Sequence, residues 1–249
     1  MSEQRPEHFI IPDWPAPVTV RAVSTIRQGG ISPPPYASFN LAEHVGDDPA
    51  HIAENRRRLA AKAGLPAEPA WLEQVHGTMV VDAAAVLTPV AADAAFTREP
   101  GRPCVVMTAD CLPVLFCDRA GTVVAAAHAG WRGLAGGVLG ATVARLATPP
   151  AELLAWLGPA IGPQAFEVGE EVRATFLALD AGNTDGFQPS SAGRWLANLY
   201  ELARRQLRER GVSAVYGGEF CTFSEPERFF SYRRENCTGR MATLIWLAG

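Results

Sequence analysis

The feature that most constrains the fold is a series of three apolar segments in the middle of the chain. Residues 104–107, 112–117 and 122–128 are rich in Val, Leu and Ala and are punctuated by Pro and Gly. Short apolar segments of this kind are typical of strands that are buried on both faces. The sequence therefore predicts a central sheet, followed by a helix over residues 134–146 whose many Gly and Ala residues favour close packing on that sheet.

Weaker local signals predict the remaining elements. Asp48 and Pro49, with Gly64 further on, frame a helix because Asp caps free N–H groups, Pro suits the first turn and Gly tolerates a left-handed exit. Alternation and helical periodicity predict strands over residues 18–24, 71–75, 78–82 and 241–247, and helices over residues 170–179 and 194–210. The last helix is expected to bury Trp195, Leu199 and Leu202.

The chain is predicted to form one domain. No internal repeat, low-complexity tract or shift of composition divides its 249 residues. The order of strands and helices indicates an α+β fold over residues 1–249, in which helices flank a mixed β-sheet core. Residues 1–16 are expected to form a loosely ordered N-terminal segment.

Charge and hydropathy argue against two classes of partner. The net charge of −4 lacks the basic footprint of a protein that binds a phosphate backbone, so nucleic acid is not an expected partner. The N-terminus lacks the features of a signal peptide, and the longest apolar run, residues 105–117, contains Asp110 and Pro113. We therefore expect a cytoplasmic protein without membrane contact, and no feature of the sequence indicates its oligomeric state.

Imidazole and thiol side chains, which can ligate a metal or act in catalysis, are few. The chain has five histidines and five cysteines, with no CxxC pair. His76 in QVHG and His128 in AHAGWRG lie at predicted strand ends, and Cys111 lies between them in TADCLP. Two imidazoles and one thiolate could form a three-ligand zinc site with a fourth position for water or substrate. The same residues are also consistent with two structural histidines and a buried core cysteine. The distance between them in the sequence does not decide whether they come together in the fold.

A series of motifs carries a resemblance to a known family. They are YASFNL at 36, HVGDDP at 44, QVHG at 74, TADCLPVLF at 108, AHAGWRG at 127, GPAIGP at 158, FFSYRR at 229 and TGRMA at 238. Together they resemble the YfiH-like family, whose members are described as laccase-domain or multicopper polyphenol oxidases and as purine nucleoside phosphorylases. The resemblance implies that His76, Cys111 and His128 bind a metal and act in catalysis. The chain departs from the family at 164–166, where Gln-Ala-Phe replaces frequent cysteines and a tyrosine.

The two functional descriptions require different metal chemistry. A laccase couples a blue-copper site to a trinuclear copper cluster, and this set would consume more imidazoles than the five of the whole chain. Multicopper oxidation is therefore not expected. A single His₂Cys site could hold copper, but no recognisable axial Met accompanies these residues, so zinc is favoured. Zinc does no redox chemistry and instead polarises an oxygen atom or activates water.

The resemblance implies phosphorolysis of adenosine, inosine and methylthioadenosine, with hydrolytic deamination of adenosine as a second activity. A purine requires an aromatic partner, for which Phe39 and Tyr36 are candidates, and ribose requires a hydrogen-bonding side chain, for which Asn40 is the candidate. Phosphate requires guanidinium groups, and the candidates are Arg27, Arg132 and Arg233. Purine nucleosides and phosphate are thus the expected partners.

Other classes of function fit the same residues. Cys111 could act as a metal-free covalent nucleophile with His128 or His76 as its base, which gives an amidase or hydrolase. The resembled family has also been linked to peptidoglycan editing, which would suit peptidoglycan-related amides as substrates. A copper-dependent phenol oxidase and a non-catalytic metal-storing protein are further alternatives, although structural zinc sites usually have four protein ligands. Metal content and turnover separate these classes.

Overall fold

The computed structural model describes residues 9–249. Its strands are β1 (Phe9–Ile10), β2 (Val20–Thr25), β3 (Val80–Asp82), β4 (Ala94–Thr97), β5 (Cys104–Thr108), β6 (Leu112–Asp118), β7 (Val124–Ala129), β8 (Leu153–Leu157), β9 (Glu167–Val168), β10 (Phe187–Pro189), β11 (Trp195–Ala197), β12 (Ala214–Gly217) and β13 (Met241–Leu247). Its helices are α1 (Pro49–Ala63), α2 (Trp131–Gly136), α3 (Val138–Leu146), α4 (Glu170–Leu179), α5 (Leu199–Glu209) and α6 (Tyr232–Glu235). None of the helices in this range is long and apolar enough to cross a membrane.

The largest sheet is mixed and has the strand order β12-β8-β6-β7-β4-β3. The two outer pairs, β12–β8 and β3–β4, are parallel, and the pairs between them are antiparallel. Every residue of β6, β7 and β8 is buried, because alternate side chains pack against helices on one face and a second sheet on the other. The predicted mixed-sheet core flanked by helices is therefore confirmed.

Strand β6 shows how this alternation builds the layers. Leu112, Val114 and Phe116 belong to a cluster with apolar residues of α2, α3, α4 and α5. Leu115 and Cys117 face the other way and cluster with residues of β5 and β13. The far side of β5 and β13 packs against α1 and the segment before it. The order of layers is thus helix, sheet, sheet, helix.

The second sheet sets the positions of two loops at the candidate site. It is antiparallel, with the strand order β1-β2-β13-β5. Met241 at the start of β13 pairs with Thr108 at the end of β5. Arg240, which precedes β13, therefore lies at the same sheet edge as the turn that carries Asp110 and Cys111.

The helix predicted over residues 134–146 is divided in the structure. Helix α2 ends at Gly136, and Gly137 adopts a left-handed conformation with a φ of 93° before α3 begins. Glycine has no Cβ to oppose this conformation, so it permits the break. The helix prediction is therefore correct in type but wrong in treating the segment as continuous.

The helix predicted over residues 194–210 begins later than expected. Trp195–Ala197 forms β11, which pairs with both β9 and β10. The side chain of Asn198 accepts a backbone N–H of the first turn and so starts α5 at Leu199. Leu199 and Leu202 are buried as predicted, whereas Trp195 is half-buried in a strand.

Helix α1 confirms the capping signals. Asp48 accepts the N–H of Ala50 at 2.8 Å, and Gly64 ends the helix with a φ of 62°. The strand predicted over residues 71–75 is wrong, since this segment forms one isolated bridge at Glu73. Gln74 explains the difference, because its side chain bonds the backbone of Met107 and holds the segment as a loop.

The predicted N-terminal segment lies partly outside the described residues. For residues 1–8 the expectation of loose order stays a prediction. Within the described part, Phe9–Ile10 forms β1 and pairs with Thr25 and Ser24 of β2. The strand ends at Ile10, and residues 11–16 form neither helix nor strand.

Candidate functional site

The structure brings His76, Cys111 and His128 together, and we call these three residues the trio. Their potential ligand atoms all lie within 4.8 Å of one another. The sheet register explains part of this convergence, since β6 and β7 pair Pro113 with His128 and Leu112 with Ala129. Cys111, immediately before β6, is thereby set beside the end of β7. His76 approaches from the loop before β3, with its Nε2 atom 3.8 Å from the Cys111 Sγ atom.

Two residues of the site have backbone conformations that are unfavourable for side chains other than glycine. His76 has a φ of 59° and Asp110 has a φ of 88°. Such conformations cost free energy and persist where surrounding contacts hold them. For Asp110 these contacts are made by its carboxylate, which accepts hydrogen bonds from the hydroxyls of Thr222 and Ser231 and from the backbone N–H of Arg233.

Asp93 connects the two histidines of the trio. It is fully buried and lies 2.8 Å from Nδ1 of His128. It also accepts the backbone N–H groups of His76 at 2.9 Å and Gly77 at 2.6 Å. A proton on Nδ1 of His128 that is shared with this carboxylate leaves Nε2 free for a metal. Burial acts to raise the pKa of Asp93, but these hydrogen bonds outweigh it and the pKa is lowered.

The electrostatics of the trio favour a thiolate at Cys111. Burial acts to raise its pKa, but the imidazoles of His128 and His76 outweigh burial and lower the pKa to about 6. Burial likewise acts to lower the pKa of His128, but the Cys111 thiolate and Asp93 raise it to about 9. By contrast, burial raises the pKa of Cys117 to about 12. Cys111 thus has the ionisation state that metal binding requires.

The space between these ligands depends on Gly130. A Cβ atom added there would lie 2.8 Å from Cys111 Sγ and 2.9 Å from the His76 ring. Glycine is therefore needed for the trio to approach the start of α2. Two imidazoles and a thiolate are donors that zinc accepts, so the residues present fit this ion. Within residues 9–249 this is the one group of three or more His, Cys, Asp or Glu ligands positioned to hold a metal.

The trio opens into a cavity of about 480 Å³. Two of the predicted phosphate-binding residues, Arg132 and Arg233, line this cavity. The cavity is also lined by residues that the sequence analysis did not assign, among them His44, Gln74, Trp131, Phe166, Tyr232 and Arg240. His44, Tyr232 and Arg240 lie inside the quoted motifs HVGDDP, FFSYRR and TGRMA, which was the available signal. Asp93 lies in none of them.

Other predicted site residues do not line the cavity. Phe39 is fully buried in the core and is not positioned to stack on a purine. Asn40 is also fully buried, and its amide bonds Ala42, Asp47 and the backbone of Arg240 instead of a ribose. These two predictions are corrected because both side chains pack inside the protein, under the loop that the motif YASFNL forms.

Arg27 and Tyr36 are likewise occupied elsewhere. The Arg27 guanidinium forms a 2.9 Å ion pair with Glu235 and bonds the carbonyls of Ala37 and Pro226. The hydroxyl of Tyr36 donates to the carbonyl of Val45 at 2.7 Å. Neither residue lines the cavity, so the structure does not place Arg27 as a phosphate ligand or Tyr36 as a purine partner.

Comparison with known proteins identifies the class to which this fold and site belong. Residues 21–248 match the family described as multi-copper polyphenol oxidoreductase laccase. The match covers most of the chain, so the protein belongs to this laccase-domain family.

Within the family, the chain is similar to proteins with a more specific name. It is 57% identical over 242 residues to purine nucleoside phosphorylase PA4543 of Pseudomonas aeruginosa. This alignment covers 96% of this chain and 98% of the relative. It is 56% identical over 242 residues, with the same coverage, to purine nucleoside phosphorylase YfiH of Escherichia coli. The crystal structure of Neisseria meningitidis protein NMB0706 superposes with a TM-score of 0.95 at 52% identity, over 98% of this chain and 100% of that chain. The predicted YfiH-like family is thereby confirmed.

Proposed function

We propose that the protein is a metal-dependent purine nucleoside phosphorylase that cleaves adenosine, inosine and methylthioadenosine. The observation that carries this proposal is the shared cavity, into which the trio, arginines and aromatic side chains all open. Its volume of about 480 Å³ lies in the range of small-molecule sites. The names of the relatives from Pseudomonas aeruginosa and Escherichia coli support the same assignment.

The reaction places defined demands on the cavity. An oxygen of phosphate forms a bond to C1′ of the sugar while the bond from C1′ to N9 of the purine breaks. The electron pair of the broken bond goes to the purine, which takes up a proton and leaves as the free base, and the sugar 1-phosphate remains. The cavity must therefore hold an anion beside the sugar and a flat apolar base.

The chain supplies groups of both kinds on the cavity wall. The Arg132 guanidinium lies 4.4 Å from the ring centre of Trp131, and the Arg233 guanidinium lies 5.2 Å from that of Phe166. Each pair presents a cation and an aromatic face together, held by cation–π attraction. These pairs are suited to bind the polar and flat parts of a nucleoside.

The trio would hold the metal, and we propose zinc as that ion because imidazole and thiolate are its usual protein ligands. Copper is the alternative, since the same donors also suit it. When bound, zinc supplies Lewis acidity that polarises a substrate oxygen. Asp93 holds the His128 ring through Nδ1, which would leave Nε2 free to ligate the ion.

Hydrolytic deamination of adenosine is proposed as a second activity of the same cavity. Water replaces the amino group at C6 of the purine, so the products are inosine and ammonia. Phosphate is neither a reactant nor a product of this reaction. The deamination therefore needs the purine site and an activated water, but no site for an anion.

The dependence on phosphate tests the proposed function. Adenosine incubated with the protein should release adenine only when inorganic phosphate is present, and should yield inosine slowly without it, because only the first reaction consumes phosphate. Chromatography of the products over a phosphate series makes the measurement, with Cys111→Ser prepared identically to exclude a contaminating phosphorylase. Adenine release that does not depend on phosphate would contradict phosphorolysis and would favour a hydrolase.

One observation favours a second candidate function. Cys111, His128 and Asp93 also form a series of thiol, imidazole and carboxylate, with the last two 2.8 Å apart. A thiol nucleophile with His128 as its base would suit a metal-free amidase acting on peptidoglycan-related amides. Metal-free protein that remains active would favour this candidate.

A further inference from the structure

Arg240 differs from the other arginines on the cavity wall. It is half-buried, whereas Arg132 and Arg233 are exposed. Its Nη1 atom donates to the carbonyls of Thr238 and Gly239, and it forms no ion pair with a carboxylate within residues 9–249. A half-buried guanidinium without a paired carboxylate is costly unless a counter-anion binds.

The backbone around Arg240 is held on several sides. Its N–H donates to the Asn40 side chain at 3.0 Å. A Cβ atom at Gly239 would lie 2.9 Å from Cβ of Asn40 and 2.7 Å from the Phe230 ring, so the chain is tightly packed there. Strand β13 follows immediately and pairs Met241 with β5. The guanidinium is therefore placed in the cavity before any ligand arrives, which lowers the entropy cost of binding.

The anionic groups that act most strongly on Arg240 are Cys111 and Asp110. Under the proposed function, Cys111 ligates the metal. Both oxygens of Asp110 already accept hydrogen bonds, from Thr222 on one side and from Ser231 and the Arg233 backbone on the other. Within residues 9–249 neither the thiol nor the carboxylate forms a hydrogen bond or an ion pair with the Arg240 guanidinium, which bonds only the two carbonyls.

An imidazole and a phenol ring lie near Arg240 on the cavity wall. His44 lines the same cavity, and its pKa is lowered first by burial and then by the charges of Arg240 and Arg56. Tyr232 lies on the other side, with its ring centre 5.7 Å from the Arg240 guanidinium. A ring contact leaves guanidinium N–H groups free to donate to an anion.

We propose that Arg240, with His44 beside it, forms the subsite for a phosphate group in the cavity. The inference rests on the proposed function, because that function identifies the bound group as the inorganic phosphate that attacks the sugar. Arg132 and Arg233, on the exposed wall, contact other parts of the substrate. A nucleoside 5′-phosphate carries the same anionic group. The experiment must therefore distinguish binding of inorganic phosphate from binding of a nucleoside 5′-phosphate.

The test measures phosphate binding in full-length protein by calorimetry, together with the KM for phosphate and for adenosine. Arg240→Gln should weaken phosphate binding by about tenfold or more, because it removes charge-assisted hydrogen bonds, and should raise the phosphate KM equally. The KM for adenosine should stay unchanged. Arg240→Lys should lose less, since it keeps the charge. Arg145→Gln is the matched control, because Arg145 is an exposed residue of α3 that does not line the cavity.

Comparison of AMP with adenosine separates the sources of the phosphate group. Loss of inorganic phosphate binding in Arg240→Gln identifies the co-substrate site. Tighter binding of AMP than adenosine, lost in the same variant while phosphate binding is kept, identifies a site for a 5′-phosphate. If Arg240→Gln does not fold, Arg240→Lys is used with the thermal stabilisation that phosphate gives the folded protein.

The result that would overturn the subsite is wild-type affinity for both phosphate and AMP in Arg240→Gln, or no binding of either by the wild-type protein. Loss of phosphate binding in Arg132→Gln or Arg233→Gln alone would move the subsite to the exposed wall. Failure of the proposed function is a distinct result. Phosphate binding that depends on Arg240 in a protein that releases no purine would support the subsite and contradict the phosphorylase.

Discussion

Replacement of Cys111 by serine should lower kcat/KM for phosphorolysis of adenosine by about 100-fold or more while the protein stays folded. Serine has nearly the same size, but its hydroxyl is a poor metal ligand, and loss of groups that only orient the ligands already costs about 10–100-fold. Cys111 is partly exposed at the cavity, so the substitution disturbs little packing. Steady-state kinetics and thermal unfolding of the same preparation make the measurement.

Cys117→Ser is the control for this prediction. Cys117 is fully buried between the two sheets and does not line the cavity. A hydroxyl placed there without a hydrogen-bond partner should lower stability by about 1–3 kcal/mol and leave kcat/KM unchanged in the folded protein. If Cys117→Ser were as inactive as Cys111→Ser at equal stability, the wrong thiol would have been assigned to the metal.

Replacement of Asp93 by asparagine should weaken zinc binding by about 10–100-fold. Asp93 holds the His128 ring and the backbone of His76 and Gly77 with one carboxylate. An amide of the same shape keeps one acceptor oxygen but turns an N–H₂ group toward these donors. Competition with a chromogenic chelator measures the zinc affinity, and Asp93→Ala should lose more affinity than Asp93→Asn.

Asp118→Asn separates this positioning role from a loss of stability. Asp118 is also a buried aspartate, and it accepts three hydrogen bonds from Thr122 and Val123 at the far end of β6. Its replacement should destabilise the fold but leave zinc affinity unchanged, because Asp118 contacts no member of the trio. Equal zinc affinities of Asp93→Asn and the wild-type protein would show that Asp93 does not position the ligands.

The parts of the fold that could be predicted are those encoded by neighbouring residues. Asp48, Pro49 and Gly64 delimit α1 because capping acts within a few residues. The apolar runs of β6 and β7 indicate buried strands because both faces of their sheet are covered. Local periodicity predicts a helix at Trp195, because the strand formed there depends on pairing with β9 and β10, which are distant in sequence.

The candidate site was predictable to a lesser extent. The motifs of the family predict the trio, whereas two sequence separations alone do not establish that the three residues converge. Phe39 and Asn40 have suitable side chains for a nucleoside, but burial removes both from the cavity. Asp93 and Arg240 reach the site through contacts distant in sequence, with His128 and with the pairing of β13 and β5 respectively. Asp93 lies outside the family motifs and so leaves no local signal, whereas Arg240 lies in TGRMA and only its place in the cavity depends on the distant pairing.

Elemental analysis of protein purified without added metal tests the central claim most directly. We expect about one zinc ion per chain in the wild-type protein, bound by the trio, and almost none in Cys111→Ser. One equivalent of copper in active protein would contradict the choice of zinc. Wild-type protein that is fully active without any metal would contradict the account as a whole and would favour Cys111 as a covalent nucleophile.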